Sequence, residues 1–397
     1  MTTKINNEHN KLNVPNLRFP EFQGEWISKT IGDIAPLQRG FDLPTGQICN
    51  GKIPVVYSNG IMNHHSSYKC VAPGVVTGRS GTIGKFTYIE DGYYWPHNTS
   101  LWVTDFHDNN PKFIYYLYQT IHIEQYSTGS GVPTLNRNNV HRHKTFIPKL
   151  KEQNKIAAFL SLLDERISTQ SKIIEDLKKL KSAIVEKVFC SPNQEYPMCR
   201  IEGFEQALST YKMSDFSSRI ATKNKDSKCS LVLTIAAQYG LVNQESFFNK
   251  SVASENLTGY YLLHKGEFAY NRSYSAGYDW GAVKRLDNYD EGVLSTLYIC
   301  FKINETIVDS DYLAYYFEST KWHRGLSDIA GEGARNHGLL NVSITDYFNT
   351  KHRFPVIEEQ KAIAKMLNTI TEKERKATLL GECYQKQKQY LLRQMFI

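Results

Sequence analysis

The sequence predicts an α+β protein with two β-rich domains and two long helices. Three observations predict this class. Residues 146–189 align without a gap with residues 353–396, and each copy has the apolar spacing of a long helix. The segment before each copy is rich in Val, Ile, Tyr and Thr, with Gly and Asn at its turns. Because the unit occurs twice, we expect the helices to pair antiparallel as an intramolecular coiled coil, which makes the chain pseudo-two-fold symmetric.

The order of these parts divides the chain into four segments. The first β-rich domain takes residues 1–147, and the first long helical region takes residues 148–190. The second β-rich domain takes residues 191–354, and the second long helical region takes residues 355–397. A chain of 397 residues is long enough for two such domains, each with its own core.

Charge is unevenly distributed in the first β-rich domain. No Asp or Glu occurs from Leu43 to Ile89 or from Gln125 to Lys151, whereas both stretches contain Lys and Arg. The whole chain has a formal net charge of +7 and a pI near 8.8. A surface of positive potential attracts phosphate groups, so these stretches indicate contact with a nucleic-acid backbone.

The first long helix has clear start signals and a heptad seam. Pro148 precedes it, Glu152 falls in its first turn, and no proline interrupts it. The seam positions, spaced alternately by three and four residues, are Leu160, Leu163, Ile167, Gln170, Ile174, Leu177, Lys181, Ile184 and Val188. A helix of this kind needs a partner to cover its seam.

The second long helix repeats these signals on a more polar seam. The matching seam positions are Leu367, Ile370, Glu374, Ala377, Gly381, Tyr384, Lys388, Leu391 and Met395. A heptad seam is also typical of a homodimer, and Lys181 and Lys388 can extend to solvent or set the register. Intramolecular pairing is the simpler prediction, because both partners are present on one chain.

The two β-rich domains are only weakly alike. Asn59–Ile61 resembles Tyr239–Leu241, and Asn98–Leu101 resembles Leu294–Leu297. Similar helices that follow dissimilar domains suggest two readers of different sequences on one frame.

The doubled pattern Pro-x-x-x-Glu-Gln-x-x-Ile-Ala-x-x-Leu, at Pro148–Leu160 and Pro355–Leu367, resembles the specificity subunits of type I restriction-modification systems. The opening Leu17–Phe22, with Trp26, is similar to members of this family. The resemblance covers essentially the whole chain. It implies that each β-rich domain is a target-recognition domain that reads one half of a bipartite, asymmetric site in double-stranded DNA.

The same resemblance implies partners and cofactors. The helices of such subunits space the two domains and dock two modification (methyltransferase) subunits, and restriction subunits with ATP-driven translocation join that core. S-adenosylmethionine, ATP and Mg²⁺ are used by those partners. The resemblance therefore implies no cofactor, no catalytic residue and no metal site in this chain.

Motifs of the partner activities are incomplete in the sequence. An adenine methyltransferase needs an Asn/Asp-Pro-Pro-aromatic loop, and the chain has no Pro-Pro pair. In the nearest approach to a phosphate loop, Arg79 replaces the first glycine and Phe86 replaces the magnesium-binding hydroxyl. The pairs His64-His65 and His141-x-His143 lack nearby Cys or acidic companions for a metal.

Cysteine usage and hydropathy predict a cytoplasmic protein without membrane contact. The 7 Cys are scattered and form no Cys-x-x-Cys pair, as is typical of reduced thiols. No run approaches the roughly 18 apolar residues that a membrane span needs.

Loops of the two β-rich domains carry the candidate DNA contacts. In Thr77–Thr82, Arg79 lies between small residues, and a guanidinium matches the two acceptors of a guanine edge. Arg272 has the corresponding place in Tyr270–Tyr274, and a glycine-rich turn follows in each domain. The candidate residues are Thr77, Arg79, Ser80, Thr82, Ser130, Asn136, Arg137, Asn138, Asn271, Arg272, Ser273, Tyr274, Arg335, Asn336 and His337.

Other interpretations of these residues and of the chain stay open here. Arginines in loops are also ordinary ion-paired surface residues, and Gly and Asn are ordinary turn residues. A single-chain DNA methyltransferase with divergent motifs would bind S-adenosylmethionine. A coiled-coil scaffold that does not read DNA would show no salt-sensitive DNA binding.

Overall fold

The structure is a computed structural model, which describes residues 13–129, 131–249, 256–273, 277–329, 335–336 and 339–397. The contacts group into two compact units. Unit 1 comprises residues 1–171 and 379–397, and unit 2 comprises residues 172–378. Each unit therefore contains one β-rich domain and parts of both long helices.

Unit 1 is a mixed structure of short strands and helices. Its elements in chain order are β1 (Ile27–Thr30), α1 (Ile31–Ile34), β2 (Leu37–Arg39), β3 (Ile53–Tyr57), β4 (Gly60–His65), β5 (Cys70–Val71), β6 (Gly74–Gly78), β7 (Phe86–Ile89), β8 (Tyr93–Pro96), β9 (Ser100–Val103), α2 (Pro111–Thr120), β10 (Ser127–Thr128), β11 (Thr134–Leu135), α3 (Arg137–His141), β12 (Lys144–Ile147) and α4 (Leu150–Val188), whose later part lies in unit 2.

Two sheets and one helix form the body of unit 1. One four-stranded sheet has the order β2-β9-β6-β7, and another has the order β4-β3-β8-β5. The core beneath the first sheet contains Trp26, Phe113 and Leu117, all buried. Asn110 caps α2 by accepting a hydrogen bond from the backbone N–H of Phe113, which fixes where this helix begins.

Unit 2 has an equivalent order of elements. They are β13 (Ser209–Lys212), α5 (Met213–Phe216), β14 (Ser217–Arg219), β15 (Leu233–Ala236), β16 (Gly240–Asn243), α6 (Gln244–Phe248), β17 (Tyr261–His264), β18 (Phe268–Asn271), β19 (Ala282–Arg285), β20 (Glu291–Leu294), β21 (Ile299–Ile303), α7 (Ser310–Tyr316), α8 (His323–Ser327), β22 (Arg335–Asn336), β23 (Leu339–Leu340), α9 (Ile344–Asn349), β24 (Lys351–Phe354) and α10 (Ile357–Met395), whose later part lies in unit 1.

The main sheet of unit 2 has the same topology as that of unit 1. Its order is β14-β21-β18-β19, and the strand before the candidate loop is internal in both sheets. In each unit a short antiparallel pair also joins the beginning of the domain to its end, β1 with β12 and β13 with β24. The second sheet differs, because unit 2 has the two-stranded pairs β15-β16 and β17-β20 in its place.

Sheet register corrects one of the sequence comparisons between the domains. Thr77 of β6 pairs with Leu101, and Tyr270 of β18 pairs with Ile299. Leu101 is therefore equivalent to Ile299, two residues beyond Leu297, to which the sequence comparison matched it. The short Thr, Ser and Leu patterns are too common in strands to fix an alignment.

The two long helices each contain 39 residues. The predicted seam positions are buried or partly buried along both helices, whereas most positions between them are exposed. Unit 1 contains the beginning of α4 and the end of α10, and unit 2 contains the remaining parts. Each long helix therefore contributes residues to both units.

The Glu-Gln pair of the doubled motif has a structural role in both units. The carboxylate of Glu152 accepts hydrogen bonds from Nε and Nη2 of Arg18, both at 2.8 Å. Glu359 accepts the same two bonds from Arg200 at 2.9 and 2.7 Å. Both glutamates are buried, at 3% and 1% exposure, so each carboxylate needs its guanidinium partner.

The neighbouring glutamine ties each long helix to the domain helix. In unit 1, Gln153 donates to the carbonyl oxygen of Pro148 and accepts from the backbone N–H of Asn110, both at 3.0 Å. The equivalent bonds in unit 2, both at 2.9 Å, are those of Gln360 with Pro355 and Asp309. The motif therefore marks the junction between a β-rich domain and its helix.

The two lysines on the predicted seams are ion-paired. In unit 1, Lys388 lies 2.6 Å from a carboxylate oxygen of Asp164. In unit 2, Lys181 lies 3.5 Å from a carboxylate oxygen of Glu374. Each lysine is partly buried and contacts an acid of the other long helix within the same unit, so neither simply extends to solvent.

Among the described residues, no helix combines the length and apolar character that a membrane span requires.

Candidate nucleic-acid interface

The first candidate loop follows β6, an internal strand of the main sheet of unit 1. The backbone N–H of Arg79 donates to the carbonyl oxygen of Thr99 at 2.8 Å, which holds the loop against the turn before β9. A Cβ added at Gly78 would collide with the carbonyl oxygen of Thr82. Glycine is therefore required here for the chain to turn back on itself.

This loop is joined to the glycine-rich turn that the sequence singled out separately. The backbone N–H of Leu135 donates to the carbonyl oxygen of Arg79 at 2.7 Å, and that of Gly81 donates to Pro133 at 3.2 Å. Ser80 and Thr134 form an isolated antiparallel bridge. Two candidate segments about 50 residues apart in the chain thus form one surface of unit 1.

The candidate side chains of the first loop differ in exposure. Thr77 is buried, and its hydroxyl donates to the carbonyl oxygen of Lys85 at 2.9 Å, so its side chain supports the sheet. Arg79 and Ser80 are partly exposed, and Thr82 is exposed. The Arg79 guanidinium forms no hydrogen bond or ion pair with any residue that the structure describes.

The candidates of the first turn lie at the start of α3. Asn136, Arg137 and Asn138 are exposed. The side chain of Asn136 caps α3 by accepting from the backbone N–H of Asn138 at 3.0 Å, which leaves its amide group free to donate. Ser130 lies outside the described residues.

Unit 2 repeats the junction of loop and turn. The backbone N–H of Leu340 donates to the carbonyl oxygen of Arg272 at 3.0 Å, the equivalent of the bond between Leu135 and Arg79. Asn271 and Ser273 are partly exposed, and the side chain of Asn271 accepts from the backbone N–H of Ser273. Arg335 and Asn336 form β22, which pairs with β23 beside this loop. Tyr274 and His337 lie outside the described residues.

The two equivalent arginines have different surroundings. Arg272 donates to the carbonyl oxygens of Val342 at 3.0 Å and Leu297 at 3.2 Å, so part of its guanidinium is used to hold the loop. Arg79 has no such partner in the part of the chain that is described. At the same position in the sheet, the guanidinium of unit 2 is hydrogen-bonded to two carbonyls, and that of unit 1 has no such bond to any described residue.

Exposed positive charges occur in the two stretches of unit 1 that contain the first loop and the first turn. Lys52, Lys85, Arg137 and Lys144 are exposed on unit 1, and Lys85 donates to the carbonyl oxygen of Asn59 at 2.7 Å in the adjacent hairpin turn. No acid interrupts the stretches of chain that carry these residues. Exposed positive charges of this kind attract a polyanion.

The histidines near the first turn have structural roles. His141 accepts a hydrogen bond from the backbone N–H of Leu37 at 2.8 Å, and burial, aided by the charge of Arg137, lowers its pKa. His143 bonds to the hydroxyl of Tyr126 at 2.7 Å, and burial lowers its pKa. No three His, Cys, Asp or Glu side chains among the described residues could together hold a metal ion.

Two features of the molecule were not predicted from the sequence. One is the pair of clamps, the ion pairs of Arg18 with Glu152 and of Arg200 with Glu359. Their signal in the sequence is weak: each arginine is followed four positions later by Phe, at Arg18–Phe22 and Arg200–Phe204. A pocket beside the second candidate loop, lined by Tyr239 and Phe247, has no signal in the order of residues. It forms from a hairpin, a short helix and the loop.

Comparisons with known proteins give a family for one part of the chain and a fold for all of it. Residues 23–179 match the model of the type I restriction modification DNA specificity domain. The S subunit of a type I restriction-modification system from M. genitalium matches at 16% identity and a TM-score of 0.59, over 97% of this chain and 99% of that chain. The chain therefore shares the fold of that subunit.

Two further solved structures are similar over most of their length. One comes from work on complex assembly and conformational transition of the type I R-M system. It matches at 14% identity and a TM-score of 0.50, over 92% of this chain and 96% of that chain. The HsdS subunit from Thermoanaerobacter tengcongensis matches at 14% identity and a TM-score of 0.43, over 94% and 96%. No curated protein matches this chain.

Proposed function

Because residues 23–179 belong to the type I restriction modification DNA specificity domain family, we propose that this chain is the DNA sequence-specificity subunit of a type I restriction-modification complex. It reads a bipartite, asymmetric site in double-stranded DNA, one half with each unit. It has no catalytic role of its own. Methylation and cleavage belong to the subunits that it directs to the site.

The observation that carries this proposal is the repeated junction of loop and turn at the end of an internal strand. The bond from Leu135 to Arg79 and the bond from Leu340 to Arg272 have the same place in the two main sheets. Arg and Ser occur there in both units, but Arg272 donates to two backbone carbonyls whereas Arg79 has no partner among the described residues, and Asn271 stands in the place of Gly78. Like frames with unlike side chains are what an asymmetric two-part site requires, since base contacts specify sequence.

We propose that the long helices pair as an antiparallel coiled coil and set the distance between the two half-sites. The ion pairs within each unit support this pairing. From Asp164 to Lys181 the α4 partner advances along the chain, while the α10 partner goes back from Lys388 to Glu374. A helix of 39 residues is about 58 Å long at 1.5 Å per residue, which exceeds one turn of B-DNA at about 34 Å.

The partners in this proposal are two methyltransferase subunits, docked on the helices, and restriction/translocase subunits. S-adenosylmethionine, ATP and Mg²⁺ act in those subunits. The complex works on DNA in the cytoplasm. Methylation requires the target adenine to leave the base stack, and the specificity subunit stays bound to the duplex while the adenine is flipped out.

A binding experiment tests the proposal. The chain with its methyltransferase partners should bind a duplex that carries its site more tightly than a scrambled duplex, and the affinity should fall steeply with salt. Binding that is equal for both duplexes would support the scaffold alternative. Binding of S-adenosylmethionine to the purified chain alone would support the single-chain methyltransferase alternative.

A further inference from the structure

Unit 2 has an apolar pocket of about 370 Å³ beside the second candidate loop. Ala236, Ala237 and Ala282 line its walls, with the aromatic rings of Tyr239, Phe247 and Tyr278. Asn271 and Ser273 of the candidate loop line it as well. One wall of the pocket is therefore the loop that the sequence analysis names as a candidate DNA contact.

The outer part of the pocket consists of exposed aromatic side chains. Tyr239, at the tip of the β15–β16 hairpin, is 69% exposed, and Phe247 on α6 is 45% exposed. Their ring centroids lie 6.3 Å apart. Gly240 has a φ of +88°, the left-handed conformation that turns the hairpin where Tyr239 projects. Exposed aromatic groups on a hairpin tip cost solubility, so they indicate a surface that is covered in use.

The occupied guanidinium in unit 2 limits how this unit can read bases. Arg272 donates to two backbone carbonyls, whereas Arg79 at the equivalent position of unit 1 has no partner among the described residues. A guanine contact by Arg272 is thus less available than one by Arg79. What unit 2 presents next to its loop is an apolar surface built from alanines and aromatic rings.

We infer that this pocket reads a thymine in the second half-site by enclosing its methyl group. In the major groove the methyl of thymine is the one apolar feature of a base edge, and alanine and aromatic side chains are its usual contacts. The pocket has room for the methyl and the adjoining edge of one pyrimidine. This inference rests on the proposed function.

The experiment replaces thymine by uracil, which removes the methyl and keeps every base-pairing hydrogen bond. The full complex binds duplexes that carry its mapped site, with uracil placed in turn at each thymine of each half-site. At one position of the second half-site, uracil should weaken binding about fourfold, since a buried methyl contributes about 0.8 kcal/mol. If uracil has no effect at any thymine of the second half-site, the inference is overturned.

Two neighbouring phenylalanines provide a matched pair of variants. Phe247 and Phe248 have nearly equal exposure, at 45% and 46%, but only Phe247 lines the pocket. Phe247→Ala should bind the thymine and uracil duplexes equally, while Phe248→Ala should keep the fourfold difference. Equal behaviour of the two variants would contradict the pocket's role. Because both side chains are exposed, their loss should leave the fold intact, which circular dichroism verifies.

The outcomes separate this inference from the proposed function. If the wild-type complex binds no duplex specifically, the proposed function fails. If it binds specifically, uracil weakens binding at no thymine of the second half-site, and a mismatch at one base pair of that half-site tightens binding, the pocket holds an extruded base and the inference fails alone.

Discussion

The buried carboxylate of Glu359 accepts two hydrogen bonds from the guanidinium of Arg200, at 2.9 and 2.7 Å, and Arg18 holds Glu152 in the same way. Each arginine precedes the first strand of its β-rich domain, and each glutamate lies in the first turn of the long helix that follows the domain. Each arginine–glutamate pair thus joins the beginning of a β-rich domain to the start of the helix at its end. The same pair of hydrogen bonds in two units with different loops indicates that the two units share a frame and differ in the loops that it holds.

Removal of one partner of this clamp should destabilise its unit. Arg200→Met leaves the Glu359 charge buried without a partner, which costs about 3–5 kcal/mol. Hydrogen exchange at the amides of β13 and β24 should rise accordingly, while exchange in β1 and β12 stays unchanged. The double variant Arg200→Met with Glu359→Leu should recover most of the protection, because no charge is then left unpaired. Protection that is unchanged in Arg200→Met would contradict this role.

The ion pair between Lys388 and Asp164 on the seams of unit 1 should tolerate an exchange of its two charges. Lys388→Glu places a second negative charge beside Asp164 and should lower the denaturant midpoint, and adding Asp164→Lys should restore it in part. We expect a coupling energy of about 1–2 kcal/mol from the double-mutant cycle. The exposed pair of Glu175 and Lys179 on α4 is the control, where Lys179→Glu should change the denaturant midpoint much less. Zero coupling at the seam pair would show that it does not fix the register.

Stability of unit 2 should fall with acid because of His352. Burial lowers the pKa of His352 to about 3, whereas the unfolded chain has a value of about 6.5. The neutral form that folding requires is therefore favourable above pH 6.5, and its contribution is lost as pH falls from 6.5 towards 3, by about 1.4 kcal/mol per pH unit. Hydrogen exchange of β24 at pH 7 and pH 5 measures the loss.

The control for this prediction is His352→Gln, which cannot take up the proton. Its difference in exchange between pH 7 and pH 5 should be smaller than that of the wild type by about 2 kcal/mol. In unit 1 the equivalent position is Thr145, which does not titrate, so β12 should show no such difference between the two proteins. Equal pH dependence of the variant and the wild type in β24 would contradict the prediction.

Arg79 should be sensitive to the shape of its side chain as well as to its charge. If its guanidinium contacts a guanine edge, Arg79→Lys keeps the charge but loses the bidentate contact. We expect Arg79→Lys and Arg79→Ala each to lose about 1–3 kcal/mol of binding to the specific duplex. Arg79→Lys should bind scrambled duplex as the wild type does. Full specific binding by the lysine variant would indicate a phosphate contact in its place.

The spacer between the half-sites should depend on the length of the helices. Insertion of seven residues into both α4 and α10 adds about 10 Å at 1.5 Å per residue. The unread spacer should then grow by about three base pairs. The matched control inserts the same seven residues into α4 alone, which leaves the seams out of step and should abolish directed methylation. A spacer that keeps its length in the double insertion would contradict the proposal that the helices set the distance between the half-sites.

The long helices could be predicted from local periodicity. Features that depend on contacts between distant parts of the chain, such as the partner of Arg18, could not be predicted. α4 and α10 begin and end two residues inside the predicted helical regions, because the spacing of apolar residues and the preceding prolines act locally. The partner of Arg18 lies 134 residues away, so no local pattern reveals it. The strand alignment erred by two residues because short strands carry little sequence information.

The candidate reading surface could be predicted in part. Glycine at position 78 and the arginines that follow the internal strands marked both loops in the sequence. Whether the guanidinium of such an arginine is hydrogen-bonded within the protein depends on which backbone carbonyls lie near it in the fold. For Arg272 these are the carbonyls of Val342 and Leu297, which are distant in the sequence. Burial of Thr77 follows from its strand register, which one sequence does not give.

The most direct test maps methylated adenines across the genome of cells that express this chain with its methyltransferase partners. The account predicts one motif in two dissimilar parts, separated by an unread spacer of constant length. It also predicts that exchange of the β-rich domain of unit 2 for another changes one part only. A single uninterrupted motif, or methylation that is independent of this chain, would contradict the account.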